Sequence, residues 1–162
     1  MATIRDLLQR DLVIDNIEST DKSGVIREFA GLLKSTSRIT DEEELVRVLL
    51  EREALGSTGI GDGVAIPHAK LHMISEMIVA FGRSEQGVEY ESMDAQPVHL
   101  FFLLVTPDDK PGEHLRALAR ISRILKNPLL REQLRQVNGR EDILKLLYEE
   151  DGRYPQPQNL QR

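Results

Sequence analysis

Apolar residues recur at helical spacing in some stretches of the chain and gather into continuous runs in others. Val25, Ile26, Phe29, Leu32 and Leu33 fall three and four apart, which predicts a helix over residues 22–34. Thr40 followed by Glu43 is a capping-box signature and predicts a second helix over about 41–54. Leu45, Val48, Leu49 and Leu55 would face a sheet from it. Leu115, Leu118, Ile121 and Leu125 form the stripe of a third helix, from about Pro111 to Lys126. Shorter helices are expected over 3–9, 128–136 and 140–149. Strand character lies at Leu12–Ile14, Val64–His68, Met77–Gly82 and Val98–Thr106. The last contains the unbroken apolar run Leu100–Val105, as expected of a strand covered on both faces, and Pro107 should end it. Helices on both sides of a buried sheet make this an α/β domain, expected over residues 1–150. From Asp151 the chain turns polar and carries two prolines, so residues 151–162 are expected to form a frayed tail.

Composition narrows the function. A chain of 162 residues is most economically one domain. Its net charge of −6 argues against non-specific nucleic-acid binding, which needs excess Lys and Arg. No apolar run approaches the ~20 residues of a membrane span, so no membrane insertion is expected. Met1 to Arg10 lack a signal-peptide core, and a cytoplasmic location is expected. With no cysteine, disulfides, thiolate metal sites and cysteine nucleophiles are excluded.

The chemistry concentrates in residues 56–70, GSTGIGDGVAIPHAK. Gly56, Gly59, Gly61 and Gly63 would let backbone N–H groups converge on an anion beside His68. The segment lacks the Gly-Lys-Ser/Thr ending of a P-loop, and Val64 stands where a dinucleotide fingerprint needs glycine. His68 and His72 are four apart, a metal-binding spacing on a helix, but Pro67 opposes a helix there. A plain turn followed by an ordinary histidine is the remaining alternative. A metal-dependent hydrolase using His68, His72 and His114 is a further one.

A phosphohistidine site needs an imidazole with one free nitrogen, and donors for phosphoryl oxygens. Arg52 could supply a two-pronged clamp, or Glu51, Arg52 and Glu53 could be a solvated charge run. His114, in the first turn of the long helix, could share the pocket or merely edge the apolar stripe. Ser57, Thr58 and Gly59 could donate to phosphate or simply shape the turn. His99 opens the most apolar strand, which suits a structural histidine.

The stretch from Glu51 to Gly61, Ala65-Ile66-Pro67-His68, Gln96-Pro97-Val98, Phe101–Val105 and His114–Ser122 resembles the IIA domains of the bacterial phosphoenolpyruvate-dependent phosphotransferase system, fructose–mannitol type. The resemblance implies a mixed β-sheet flanked by helices on both faces and no cofactor or metal. It implies a phosphohistidine at His68, with His114 and Arg52 as its pocket. It also implies the small carrier HPr as donor, and a IIB protein or a regulatory target such as a transporter or sensor kinase as the receiving partner. Asp62 replaces an asparagine often found at that point. Within the family the chain looks most like the nitrogen-type regulatory IIA proteins, with no room for a fused IIB or membrane IIC unit. A sugar-transport IIA feeding a separate IIB is the alternative.

Overall fold

The apolar run predicted as a doubly covered strand lies at the middle of the sheet. In the computed structural model, which describes residues 3–154, it is β6 (Val98–Pro107). The other strands are β1 (Val13–Ile14), β2 (Gly59–Gly61), β3 (Val64–Ala65), β4 (His68–Leu71) and β5 (Ile78–Val88). β5 runs antiparallel to β6, while β3 and then β4 lie parallel along its other edge. β1 joins β5 in parallel, and β2 closes against β3 in an antiparallel pair. The order is β1-β5-β6-β3-β2, a mixed sheet, as the resemblance implied.

Side-chain alternation along β6 separates two cores. Phe101 points to the layer of α2 (Lys22–Ser35) and α3 (Glu42–Ala54), where it meets Phe29 and Tyr90 with ring centroids 6.4 and 5.4 Å away. Phe102 points the other way and packs edge-on against Phe81 at 5.3 Å, beneath α4 (Pro111–Leu125), α5 (Pro128–Gln136) and α6 (Gly139–Gly152). Gly82, opposite Phe101, lets Phe29 and Ile17 close on the sheet, since a Cβ there would stand 2.8 Å from Ile17.

Several expectations shift, each for a local reason. Asp41, not Thr40, caps α3, its carboxylate accepting the Glu44 N–H at 3.0 Å. Leu55 falls just beyond that helix and is 85% exposed. The buried face of α4 is His114, Ala117, Ile121, Ile124 and Leu125, so the helix is rotated from the predicted stripe and Leu115 is 67% exposed. β5 continues to Val88, and β6 includes Pro107. The first helix is shorter than expected, α1 (Ile4–Leu7), followed by a 3-10 turn at Arg10–Leu12. α6 runs through Asp151 and Gly152, which the sequence pattern places in the tail. Asp151 is buried there, accepting the Ile4 N–H at 2.8 Å and pairing with Arg120, so it ties α1 to α4 and α6. The rest of the expected tail, residues 155–162, lies outside the described residues.

Candidate functional site

Pro67 ends the approach to β4, and His68 opens the strand half-buried. Its Nδ1 lies 2.7 Å from the Ile66 carbonyl oxygen. A carbonyl only accepts, so Nδ1 carries the proton and Nε2 keeps its lone pair. Arg52, in the last turn of α3, donates from Nε to that Nε2 at 3.2 Å and from Nη1 to the Gly56 carbonyl at 2.9 Å. From the other side comes His114, in the first turn of α4, its ring centroid 5.4 Å from that of His68. Thr106, near the end of β6, bonds His114 Nδ1 through its hydroxyl at 2.7 Å. The predicted trio of His68, His114 and Arg52 therefore meets at one place.

Electrostatics keep both rings neutral. Burial lowers the pKa of His68, with the charge of Arg52 adding to it and the Ile66 hydrogen bond opposing. His114 is pushed down to about 4, first by burial and then by repulsion from a protonated His68 and from Lys70. An unfolded histidine ionises near 6.5, so between about 4 and 6.5 the unfolded chain binds more protons than the folded one. The stability contributed by this ring is thus fully present above the unfolded pKa and is lost as pH falls towards 4. The loss amounts to about 3 kcal/mol, at ~1.4 kcal/mol per pH unit. Urea denaturation at pH 7 and pH 4.5 should show a smaller pH-dependent loss in His114→Gln than in the wild type. Equal losses would disprove the assignment.

The glycine-rich loop behaves otherwise than expected. Thr58 is 3% exposed and turned inward, its hydroxyl bonded to the Glu53 carboxylate and its N–H donating to Glu53 Oε1 at 3.1 Å. The Gly59 N–H donates to Ser57 Oγ at 3.0 Å, and Ser57 Oγ in turn approaches the Tyr90 carbonyl at 3.4 Å. The hydroxyls of Ser57 and Thr58 and the N–H groups of Thr58 and Gly59 thus have partners in the protein, and none bonds His68. These hydrogen bonds shape the turn. Asp62 sits exposed at the β2–β3 turn with φ +58°, a left-handed conformation that Asn and Asp tolerate, and its N–H is held by Asp94 at 3.2 Å. Its carboxylate is a turn feature.

Glu53 is no part of a solvated run. It is 7% exposed and gathers Thr58, the Tyr90 hydroxyl at 3.0 Å and Lys22 Nζ at 3.3 Å. Sequence reasoning missed it, and missed Thr106 and Lys70. Lys70 follows His68 by two along β4, and the β4–β6 register sets His68 against Leu104 and Lys70 against Thr106. Strand alternation therefore puts this exposed cation on the face of both imidazoles, a signal readable from the spacing. His72 is exposed just past the end of β4, and His99 bonds the Ser84 carbonyl through Nδ1 at 2.8 Å. Among the described residues no three His, Asp or Glu side chains converge as metal ligands, so His72 does not join His68 and His114. No helix among them is long and apolar enough to cross a membrane.

Over residues 6–150 the chain matches the family described as phosphoenolpyruvate-dependent sugar phosphotransferase system, EIIA 2, and it belongs to that family. It is 36% identical to a nitrogen regulatory protein of Bradyrhizobium diazoefficiens, over 89% of this chain and 94% of that one. It is 38% identical to the fructose-specific EIIABC component of Bacillus subtilis, over 91% of this chain but only 23% of that longer protein. The crystal structure of the nitrogen regulatory protein IIA-Ntr of Neisseria meningitidis superposes with a TM-score of 0.82 at 31% identity, covering 89% of this chain and 98% of that one.

Proposed function

We propose that the protein is a phosphocarrier that accepts a phosphoryl group from phospho-HPr on His68 Nε2. The observation that carries this reading is the pairing of a tautomer-fixed imidazole with an arginine on its one free nitrogen. The lone pair on Nε2 attacks the phosphorus of the donor's phosphohistidine. The donor N–P bond breaks and its electron pair returns to the donor imidazole. Nδ1–H stays on the Ile66 carbonyl, which supports the positive charge that develops on the ring. Arg52 leaves Nε2 and turns its guanidinium to two phosphoryl oxygens, with its anchor at Gly56 close by. Neutral His114 lets a donor hydrogen face the phosphoryl group without fixing a counter-charge that would hold it there. Onward transfer reverses these steps.

The test is incubation with phosphoenolpyruvate, enzyme I and HPr, followed by detection of an acid-labile phosphate on the protein. An unlabelled wild type would refute the proposal. Arg52→Ala should slow labelling by about 10²–10³-fold, the usual cost of removing a donor that stabilises transferring charge, with a melting temperature lowered by only a few degrees. A normal rate would reduce Arg52 to a charge at a helix end.

The relative from Bradyrhizobium, matched along nearly its whole length, favours a nitrogen-type regulatory role over service to a fructose transporter. In that role a target reads the charge of roughly −1.5 to −2 that phosphate adds. Affinity for a transporter or sensor-kinase target should differ between the phosphorylated and free forms. Equal affinities, with rapid passage of label to a fructose-class IIB, would establish the sugar-transport role instead.

A further inference from the structure

We propose that Thr106 is a positioning residue that sets the tautomer of His114: its hydroxyl donates to Nδ1, which leaves the hydrogen on Nε2 to meet the phosphoryl group. This rests on the phosphocarrier reading of His68.

Thr106 is fully buried, and its hydroxyl makes one hydrogen bond among the described residues, to His114 Nδ1 at 2.7 Å. A threonine hydroxyl can donate or accept. If it accepted a proton from Nδ1, its own hydrogen would have no acceptor in a fully buried place, which folded proteins avoid. Donation satisfies both atoms. The proton of the neutral ring then belongs on Nε2, which has no hydrogen-bond partner among the described residues and is not sealed from solvent. The ring is fixed 5.4 Å from that of His68, so Nε2–H is the polar group it offers to a phosphate carried there. The opposite tautomer would present a lone pair to the phosphoryl oxygens and repel them.

The arrangement is built by the sheet. In the β4–β6 register Thr106 is paired with Lys70 and Leu104 with His68, so one polar residue closes the apolar run where α4 brings His114 down. Two imidazoles are thereby set in opposite tautomers by two different partners. The Ile66 carbonyl makes His68 an acceptor at Nε2, and the Thr106 hydroxyl makes His114 a donor at Nε2.

The experiment uses ¹⁵N-histidine-labelled full-length protein at pH 7, together with labelling rates from phospho-HPr. In the wild type, His114 should show a protonated Nε2 and a bare Nδ1, and His68 the reverse. Thr106→Val keeps the shape but removes the donor, and should shift His114 towards the Nδ1–H form and slow labelling about tenfold or more. Thr106→Ser should restore both readouts to within about twofold of wild type. A wild-type His114 protonated on Nδ1 would overturn the proposal whether or not the valine variant folds. So would a valine variant that labels at the wild-type rate or keeps the wild-type tautomer. Wild-type protein that takes no label at all would instead overturn the phosphocarrier reading, and the tautomer spectra would still decide the role of Thr106.

Discussion

Exchanging His68 for alanine should abolish phosphate acceptance and leave a folded protein. The loss should be at least about 10⁴-fold, in the range found when an attacking nucleophile is removed, and label should fall below detection. No neighbour can substitute. His114 has its Nδ1 tied to Thr106 and is 4% exposed, and Arg52 and Lys70 are cations with no free lone pair. The structural cost is small by comparison. His68 is half-buried at the start of β4, and its deletion frees one carbonyl and the Arg52 Nε. One hydrogen bond of this kind contributes about 1 kcal/mol, so with two lost the melting temperature should fall by only about 4–8 °C. Thermal melting and a labelling time course on the same sample separate the two effects. Retained label would move the site away from His68, and a protein that no longer folds would make His68 a structural residue.

Local signals in the sequence made each member of the trio a candidate, and the family resemblance joined them in one pocket. His68 follows a proline after an apolar run, Arg52 ends a periodic helix, and His114 opens another. The sheet's centre was equally plain from the run Leu100–Val105. What failed were inferences about which groups are free. The Gly56–Gly63 loop reads as an anion cradle only while its donors are taken to be unpaired. For Thr58 and Gly59 the fold supplies Glu53 and Ser57 as acceptors, and Glu53 belongs to a helix that sequence gives no reason to aim at the loop. The stripe on α4 failed for a related reason. Leucine spacing cannot tell whether the buried face is headed by Leu115 or by the adjacent His114, and a polar partner already buried in β6, Thr106, decides for the histidine. Thr106 itself has no signal beyond being polar at the end of an apolar strand, because its partner is brought over by a chain reversal.

Replacing Glu53 by alanine should cost the fold about 3–5 kcal/mol, the range for removing one side of a buried ion pair. The carboxylate joins three elements: Lys22 at the start of α2, the Thr58 turn, and Tyr90 after β5. Without it Lys22, its side chain 14% exposed, loses a charge partner, and the Thr58 N–H and the Tyr90 hydroxyl are left in a buried place without their acceptor. Burial and the charge of Glu53 hold the Tyr90 phenol far above its ordinary pKa, so Tyr90 remains a donor that needs an acceptor. Glu53→Gln preserves the shape and an acceptor oxygen, and should lose less than the alanine variant. Urea denaturation of both, with Lys22→Met alone and combined with Glu53→Ala, completes a double-mutant cycle. Lys22→Met should recover part of the alanine loss, because it removes a buried charge left with only the exposed Glu91, 3.5 Å away, as its partner. A Glu53→Ala variant within about 1 kcal/mol of wild type would show the network to be inert. Because Arg52 immediately precedes Glu53 in α3 and is anchored to Gly56 at the head of the same turn, a loosened loop should also slow phosphate labelling. That slowing should be absent from core variants of equal instability on the Phe81–Phe102 side, and this comparison distinguishes a hinge beneath the site from a general loss of stability.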